Sequence, residues 1–149
     1  MDNRGLSAVL GYVLTLGIVT LLIGGLFLAA GGFVEDEHER VVRSEFEVIG
    51  NRVAADLAAI DRLALASGAS GEAVLLTDLP SLAAGSTYHI SLNAVDGTDN
   101  DYFVNLTAND PQVTVTTRVK IETQVAESTV GGGDVLVVYN GTHVEVRNA

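Results

Sequence analysis

The chain contains no cysteine, and this absence removes several classes of protein from consideration. A disulfide framework, a thiolate metal site, a cysteine nucleophile and a lipid-anchoring cysteine all need the residue that is missing. Proline is scarce as well, with 2 in 149 residues, and none lies between residues 6 and 79. A helix can therefore run through that part of the chain without a proline break.

Basic residues are also few. The chain has 8 Lys and Arg against 19 Asp and Glu, its net charge is −11, and its only lysine is Lys120. Nucleic-acid binding needs clustered basic residues, so nucleic acid is not expected as a partner. An acidic surface almost without lysine is typical of a protein in concentrated salt, because screening there weakens the repulsion between acids. The alternative is an ordinary acidic exported domain.

Apolar residues concentrate in one block, Leu6 to Val34, which holds no charged residue over 29 positions. A helix of about 20 apolar residues crosses a bilayer core, whereas the apolar part of a signal peptide has only about 7–15. The block therefore predicts a membrane-spanning helix. Arg4 precedes the block and three acids follow it, so the positive-inside bias places the N-terminus in the cytoplasm and the C-terminal domain outside the cell.

Small residues recur inside this block at a spacing of four. Ser7, Gly11 and Thr15 share one helix face, and Gly25 and Ala29 repeat the spacing. Small residues let membrane helices approach one another closely, so this face is expected to pack against other helices. The alternative is that glycine is simply common in membrane helices.

Residues 35–68 continue as an amphipathic stalk. The steps of three and four between its apolar residues are helical and predict one helix from about residue 6 to 66, with Gly31-Gly32 and Gly50 as weak points. This stripe is expected to pack on the C-terminal domain, and its first half is also a candidate contact with neighbouring copies. The stripe consists of Val42, Phe46, Ile49, Val53, Leu57, Ile60 and Ala64.

Residues 69–149 are expected to form a small antiparallel β head. Short runs rich in Val, Thr, Ile and Tyr predict a single sheet of five or six strands lying on the stalk, which makes the fold class α+β. Asn140-Gly141 predicts a hairpin between the last two strands, and Ser128–Gly133 is expected to be a loop. The predicted strands are Ala73–Thr77, Thr87–Leu92, Tyr102–Leu106, Gln112–Glu122, Val135–Tyr139 and His143–Arg147.

No group of residues predicts catalysis, a metal site or a cofactor site. His38, His89 and His143 lie far apart in sequence and lack metal-ligand spacing. The chain is therefore not expected to be an enzyme. Asn105 and Asn140 each begin an Asn-x-Thr triplet and are candidates for N-glycosylation, although such triplets also arise by chance.

The N-terminus resembles that of archaeal type IV pilins. The residues concerned are Arg4-Gly5-Leu6-Ser7-Ala8-Val9-Leu10-Gly11, followed by the apolar block. The resemblance implies that a prepilin peptidase cuts between Gly5 and Leu6. Ala8 stands where that family often has proline, and Leu10 stands where bacterial pilins carry glutamate. Further along, residues 31–35, 41–65 and 133–139 are similar to small pilin-like proteins of salt-loving archaea.

The resemblance implies a pilin-like subunit of a type IV filament or of a related secretion-type surface assembly. Residues 1–5 would be a short leader, 6–34 the membrane and filament-core helix, 35–68 the stalk and 69–149 the head. The expected partners are the membrane, other pilin-like subunits, the prepilin peptidase and an assembly machinery. The alternative is a membrane-anchored extracellular binding domain that never assembles.

Overall fold

A computed structural model of the chain describes residues 3–67, 71–97 and 100–149, with side chains from residue 7 onward. Its first element, α1, is a continuous helix over Asn3–Ser67, so the predicted long helix is confirmed. The chain divides into two compact units, Met1–Glu37 and His38–Ala149. The second unit contains the C-terminal part of α1 and the whole β head.

The apolar stripe of α1 is buried in the core of the second unit. All seven of its residues are at most 5% exposed, and they form one cluster with side chains from both sheets of the head. The packing of the stalk on the head is therefore confirmed. Val42 and Phe46 are 0% exposed within this one chain. The chain's own head thus covers the half of the stripe that was a candidate for contacts with neighbouring copies.

The head contains two antiparallel sheets, and the prediction of a single sheet with five or six strands is wrong. One sheet has three strands in the order β1-β6-β7, and the other has four in the order β4-β3-β2-β5. β5 lies beside β7, where the two sheets approach each other. The strands are β1 (Ala73–Thr77), β2 (Tyr88–Ala94), β3 (Asp101–Asn109), β4 (Gln112–Lys120), β5 (Ser128–Gly131), β6 (Val135–Tyr139) and β7 (Val144–Asn148).

The strand that the sequence did not predict is β5, which lies where a Gly-rich loop was expected. Val130 of β5 is buried, and β5 pairs with β2 from Ser128↔Leu92 to Gly131↔His89. The adjoining Gly132 is needed for space, because a Cβ there would lie 2.6 Å from the Tyr88 ring. Its N–H donates to the Tyr88 carbonyl at 2.9 Å. Gly132 therefore marks a close approach of two strands and not a flexible connection.

Three tight connections shape the head. The predicted hairpin between β6 and β7 is confirmed, and its turn contains Gly141 at φ 90°. A second turn at Ala83–Ser86 places Ala84 at φ 47° and Gly85 at φ 86°, with backbone hydrogen bonds of 2.9 and 2.8 Å closing it. β3 and β4 are joined at Asp110-Pro111, whose peptide bond is cis.

Gly50 lies where the backbone of α1 closely approaches the four-stranded sheet. A Cβ at this position would stand 2.7 Å from Thr117 Oγ1 and 3.1 Å from Leu106 Cδ1. The helix does not break there, so the expected weak point is instead a contact point. Glycine lowers helix propensity, but here it allows the helix backbone to lie against the sheet.

Candidate functional site

The N-terminal unit presents an apolar helical surface. Each described side chain from residue 7 to 37 is exposed, including Leu21 at 77% and Leu28 at 82%. Of the helices in the described residues, α1 is the one long and apolar enough to cross a membrane. An apolar surface of this extent needs lipid or protein cover, so this part of α1 is a candidate membrane anchor.

The predicted packing face lies on this exposed surface. Thr15 Oγ1 donates to the Gly11 carbonyl at 2.8 Å, which satisfies the hydroxyl within the helix. A Cβ added at Gly11 or at Gly25 would meet nothing within 4 Å. Ser7 and Ala29 are exposed as well. The face is open to a partner helix, and its role in packing stays a prediction.

The predicted leader site is at the start of α1. Arg4, Gly5 and Leu6 have helical backbone, but their side chains lie outside the described residues. Cleavage between Gly5 and Leu6 therefore stays a prediction.

Three carboxylates on α1 tie the helix to the head. Asp61 is 7% exposed and accepts from the Thr123 N–H at 2.9 Å and from the Glu122 N–H at 3.3 Å. Asp56 accepts from the buried Thr77 hydroxyl at 2.8 Å. The third, Glu45, accepts from the N–H of Ala84 at 2.5 Å. Hydrogen bonds to charged acceptors contribute about 1.5–3 kcal/mol each when partly buried.

The amphipathic pattern of the stalk predicts that its charged residues, these three acids included, face solvent. The spacing does show that two of them border the apolar stripe, although it does not show what they contact. Asp61 follows Leu57 by four residues, and Glu45 follows Val42 by three, so both border the apolar stripe. An acid at the edge of a buried stripe is placed to meet the backbone of whatever covers that stripe.

Tyr88 lies at the centre of the contact between helix and head. Its ring is 2% exposed and its centroid is 5.4 Å from that of Phe46. The Tyr88 hydroxyl donates to the Pro80 carbonyl at 2.6 Å. Burial raises the pKa of Tyr88, the charge of Glu45 raises it further, and a backbone hydrogen bond at Gly133 lowers it. The phenol is therefore held in its neutral, donating form.

A shallow groove runs between α1 and residues 79–84, with a volume of about 350 Å³. Val48 and Leu82 supply apolar surface, and Glu45 and Arg52 supply charge of opposite sign. Its chemistry suits an amphipathic ligand. Among the described residues, no group of three or more His, Asp or Glu is placed to hold a metal ion.

The structure distinguishes the two candidate glycosylation sites. Asn105 lies in the inner strand β3, where its amide accepts from Thr116 Oγ1 at 2.7 Å and donates to Asn93 at 3.2 Å. Asn140 is in the exposed β6–β7 turn, and its Oδ1 accepts from the N–H groups of Thr142 and His143 at 3.0 and 3.1 Å. The sheet thus holds the Asn105 amide. Glycosylation of either residue stays a prediction.

A family of unknown function, DUF7266, matches residues 1–148. The chain belongs to the DUF7266 family. The DUF7266 match includes both the apolar helical segment and the head. No curated protein and no solved structure matches the chain.

Proposed function

We propose that this DUF7266 protein is a pilin-like subunit of a type IV filament or of a related secretion-type surface assembly. The observation that carries the proposal is the difference in burial between two segments of α1. Residues 7–34 are apolar and exposed throughout, while the stripe that begins at Val42 is buried in the head. One helix thus supplies an apolar surface for other molecules and the core of a folded domain.

In this proposal the apolar segment is the membrane anchor before assembly and the filament core after it. Arg4 would hold the N-terminus in the cytoplasm, and the acidic head would lie outside the cell. The prepilin peptidase would cut between Gly5 and Leu6, and an assembly machinery would add the mature subunit to the filament. Helices in the core would meet at the face formed by Ser7, Gly11 and Thr15, with Gly25 and Ala29 further along.

Leader cleavage tests this function directly. Mass spectrometry of the protein purified from its native membrane should find a mature chain that begins at Leu6. Gly5→Asp should block processing, because it replaces the small residue directly before the cut with a larger, charged one. An intact N-terminus in the wild-type protein would contradict the proposal. A start after the apolar block would instead indicate a secreted soluble domain.

Packing of the helices is tested by a matched pair of substitutions. Gly11→Leu adds bulk on the proposed packing face and should lower incorporation into filaments at least tenfold. Gly24→Leu adds the same bulk at a position separated from Gly11 by about 140° around the helix, at about 100° per residue, and should have a smaller effect. Equal incorporation of both variants would remove this face from the proposal.

The alternative is an anchored extracellular binding domain that does not assemble. The groove beside Val48 and Arg52 favours it, because a groove with apolar walls and few charges is typical of ligand sites. A leader that is never cut, together with a monomeric protein in the membrane, would favour this function over the filament subunit.

A further inference from the structure

The three-stranded sheet has two edges, and they are treated differently. At the β7 edge, Val144 accepts from the Ala126 N–H and donates to the Gln124 carbonyl, both at 2.8 Å. A parallel bridge joins Val125 to the same residue. β1 pairs with β6 on one side. On its other side, no backbone hydrogen bond is formed to any part of the chain that the structure describes. β1 is therefore the uncovered edge.

The side chains of β1 make this edge apolar. Val74 is 63% exposed and Leu76 is 60% exposed, and both point away from the core. Their neighbours across the sheet are Val138 and Leu136, which are half-buried. The five residues of β1 include no charge, proline or glycine. Natural proteins usually protect an uncovered edge with such residues, because its free backbone groups can pair with another chain.

One edge of the four-stranded sheet, β4, shows the usual protection. β4 exposes Thr114, Thr116, Arg118 and Lys120 along its outward-facing side. The edge strand β4 thus has two cations and two threonines that protect it from pairing, whereas β1 has no such protection. The contrast indicates that β1 is kept able to pair.

The charges around β1 select the partner. Glu72 and Asp78 are exposed and stand directly before and after the strand. Antiparallel pairing of β1 with a second copy, centred on Leu75, would set the Glu72 of each copy opposite the Asp78 of the other. Like charges opposite one another destabilise a strand pair, and each whole chain already has a net charge of −11.

We propose that β1 is a strand-addition site for an extended segment of a different protein, with alternating apolar residues and a lysine or arginine at each end. The main-chain hydrogen bonds of the added strand would supply affinity, its apolar side chains would cover Val74 and Leu76, and its basic ends would pair with Glu72 and Asp78. This inference goes beyond the proposed filament role and does not depend on it.

A synthetic peptide tests the inference with the full chain in a neutral detergent. In the probe, valine alternates with threonine and a lysine stands at each end; the comparison peptide has glutamate at each end. Fluorescence anisotropy should show the lysine-ended peptide binding at least tenfold more tightly, with an affinity that falls as salt increases. Binding of neither peptide, or equal binding of both, would overturn the inference.

A charge exchange separates selective pairing from general attraction to an acidic protein. The double variant Glu72→Lys/Asp78→Lys should prefer the glutamate-ended peptide, because both flanking charges are reversed. The matched variant Glu47→Lys/Glu127→Lys makes the same change in net charge at exposed sites elsewhere, and it should keep the wild-type preference. Circular dichroism would establish that both variants are folded. An unchanged preference in the first variant would contradict the role of Glu72 and Asp78.

Hydrogen exchange would locate the bound strand. The amides of β1 should gain protection when the lysine-ended peptide is bound, while those of β4 stay unchanged. Protection at β4 alone would place the peptide on the other sheet and overturn the proposal. Because the chain has no native cysteine, a mixture of Val74→Cys and Leu76→Cys chains, whose cysteines lie opposite each other in a pairing centred on Leu75, would report pairing with a second copy as a disulfide-linked dimer. Such a dimer in the absence of peptide would show that the occupant is another copy of this chain.

Discussion

Individual side chains decide how the helix and the head are joined. The apolar stripe from Val42 to Ala64 could be predicted, because its spacing depends on helix geometry alone. The hydrogen bonds of Glu45, Asp56 and Asp61 could not. A helical spacing shows which acids border the stripe, but it does not show whether each one meets water or the backbone of a strand far along the chain.

Tyr88 gives a pH-dependent prediction at this scale. Its pKa is raised, mainly by burial, so the native state keeps its proton when the unfolded state, with a pKa of about 10, loses it. The contribution of this residue to stability is therefore complete below about pH 10 and is lost as pH rises through the higher folded-state pKa. Tyr88→Phe should destabilise the head by about 1 kcal/mol at neutral pH, because the hydrogen bond to Pro80 is removed.

The difference between wild type and Tyr88→Phe should shrink above about pH 10. Urea unfolding of the full chain in a neutral detergent, followed by near-ultraviolet circular dichroism, measures it across the alkaline range. The neutral-pH measurement is the control for the lost hydrogen bond. A difference that stays constant with pH would show that ionisation of this tyrosine is not linked to folding.

Among the elements, the long helix and the last hairpin were predictable from local signals, whereas the division into two sheets was not. The helical spacing of apolar residues, the absence of proline and the Asn140-Gly141 turn can each be read from a local stretch of sequence. The sheet that a strand joins depends on pairing between distant segments, as when β1 pairs with β6. Ser128–Gly131 has little local strand signal, and its pairing with β2 is what orders it.

Gly50 gives a prediction about the contact between elements. Gly50→Ala improves helix propensity by about 1 kcal/mol, but its Cβ would collide with Thr117 Oγ1 at 2.7 Å. We expect a net loss of about 1 kcal/mol in the free energy of unfolding, because overpacking costs about 1–3 kcal/mol. Gly50→Leu should cost more. Chemical denaturation of each variant supplies the values.

A second substitution identifies the cause. Thr117→Ala removes the oxygen that the new Cβ meets, so Gly50→Ala should be neutral or stabilising in that background. The coupling between the two substitutions, from a double-mutant cycle, should then favour the double variant. Equal effects of Gly50→Ala in both backgrounds would mean that Thr117 does not limit the approach of the helix.

At the scale of the whole molecule, charge is the dominant feature. The net charge of −11 is fixed by composition, and it already includes the arginine and the aspartate of ion pairs such as Arg118–Asp101. Self-repulsion of this kind destabilises a compact state, and salt relieves it. Composition alone predicted this balance, but it could not show which acids are hydrogen-bonded to the backbone and which face solvent.

A fragment that begins at His38 corresponds to the second compact unit and should fold as a soluble domain. Its melting temperature should rise between dilute and molar salt, with each 1 kcal/mol of relief giving about 4–8 °C. Glu47→Gln/Glu127→Gln removes two exposed charges and should reduce the dependence on salt. An unchanged melting temperature across the salt series would contradict a role for self-repulsion in stability.

The groups that bind α1 lie far from it in sequence. The head therefore cannot fold around α1 until those groups have been synthesised. Asp61 binds amides that lie 61 and 62 residues further along, and β1 cannot pair until β6 has been synthesised. A ribosome that adds about 5–20 residues per second needs on the order of ten seconds to proceed from the end of α1 to β7. During synthesis the stripe and the β1 strand therefore emerge long before the segments that cover them.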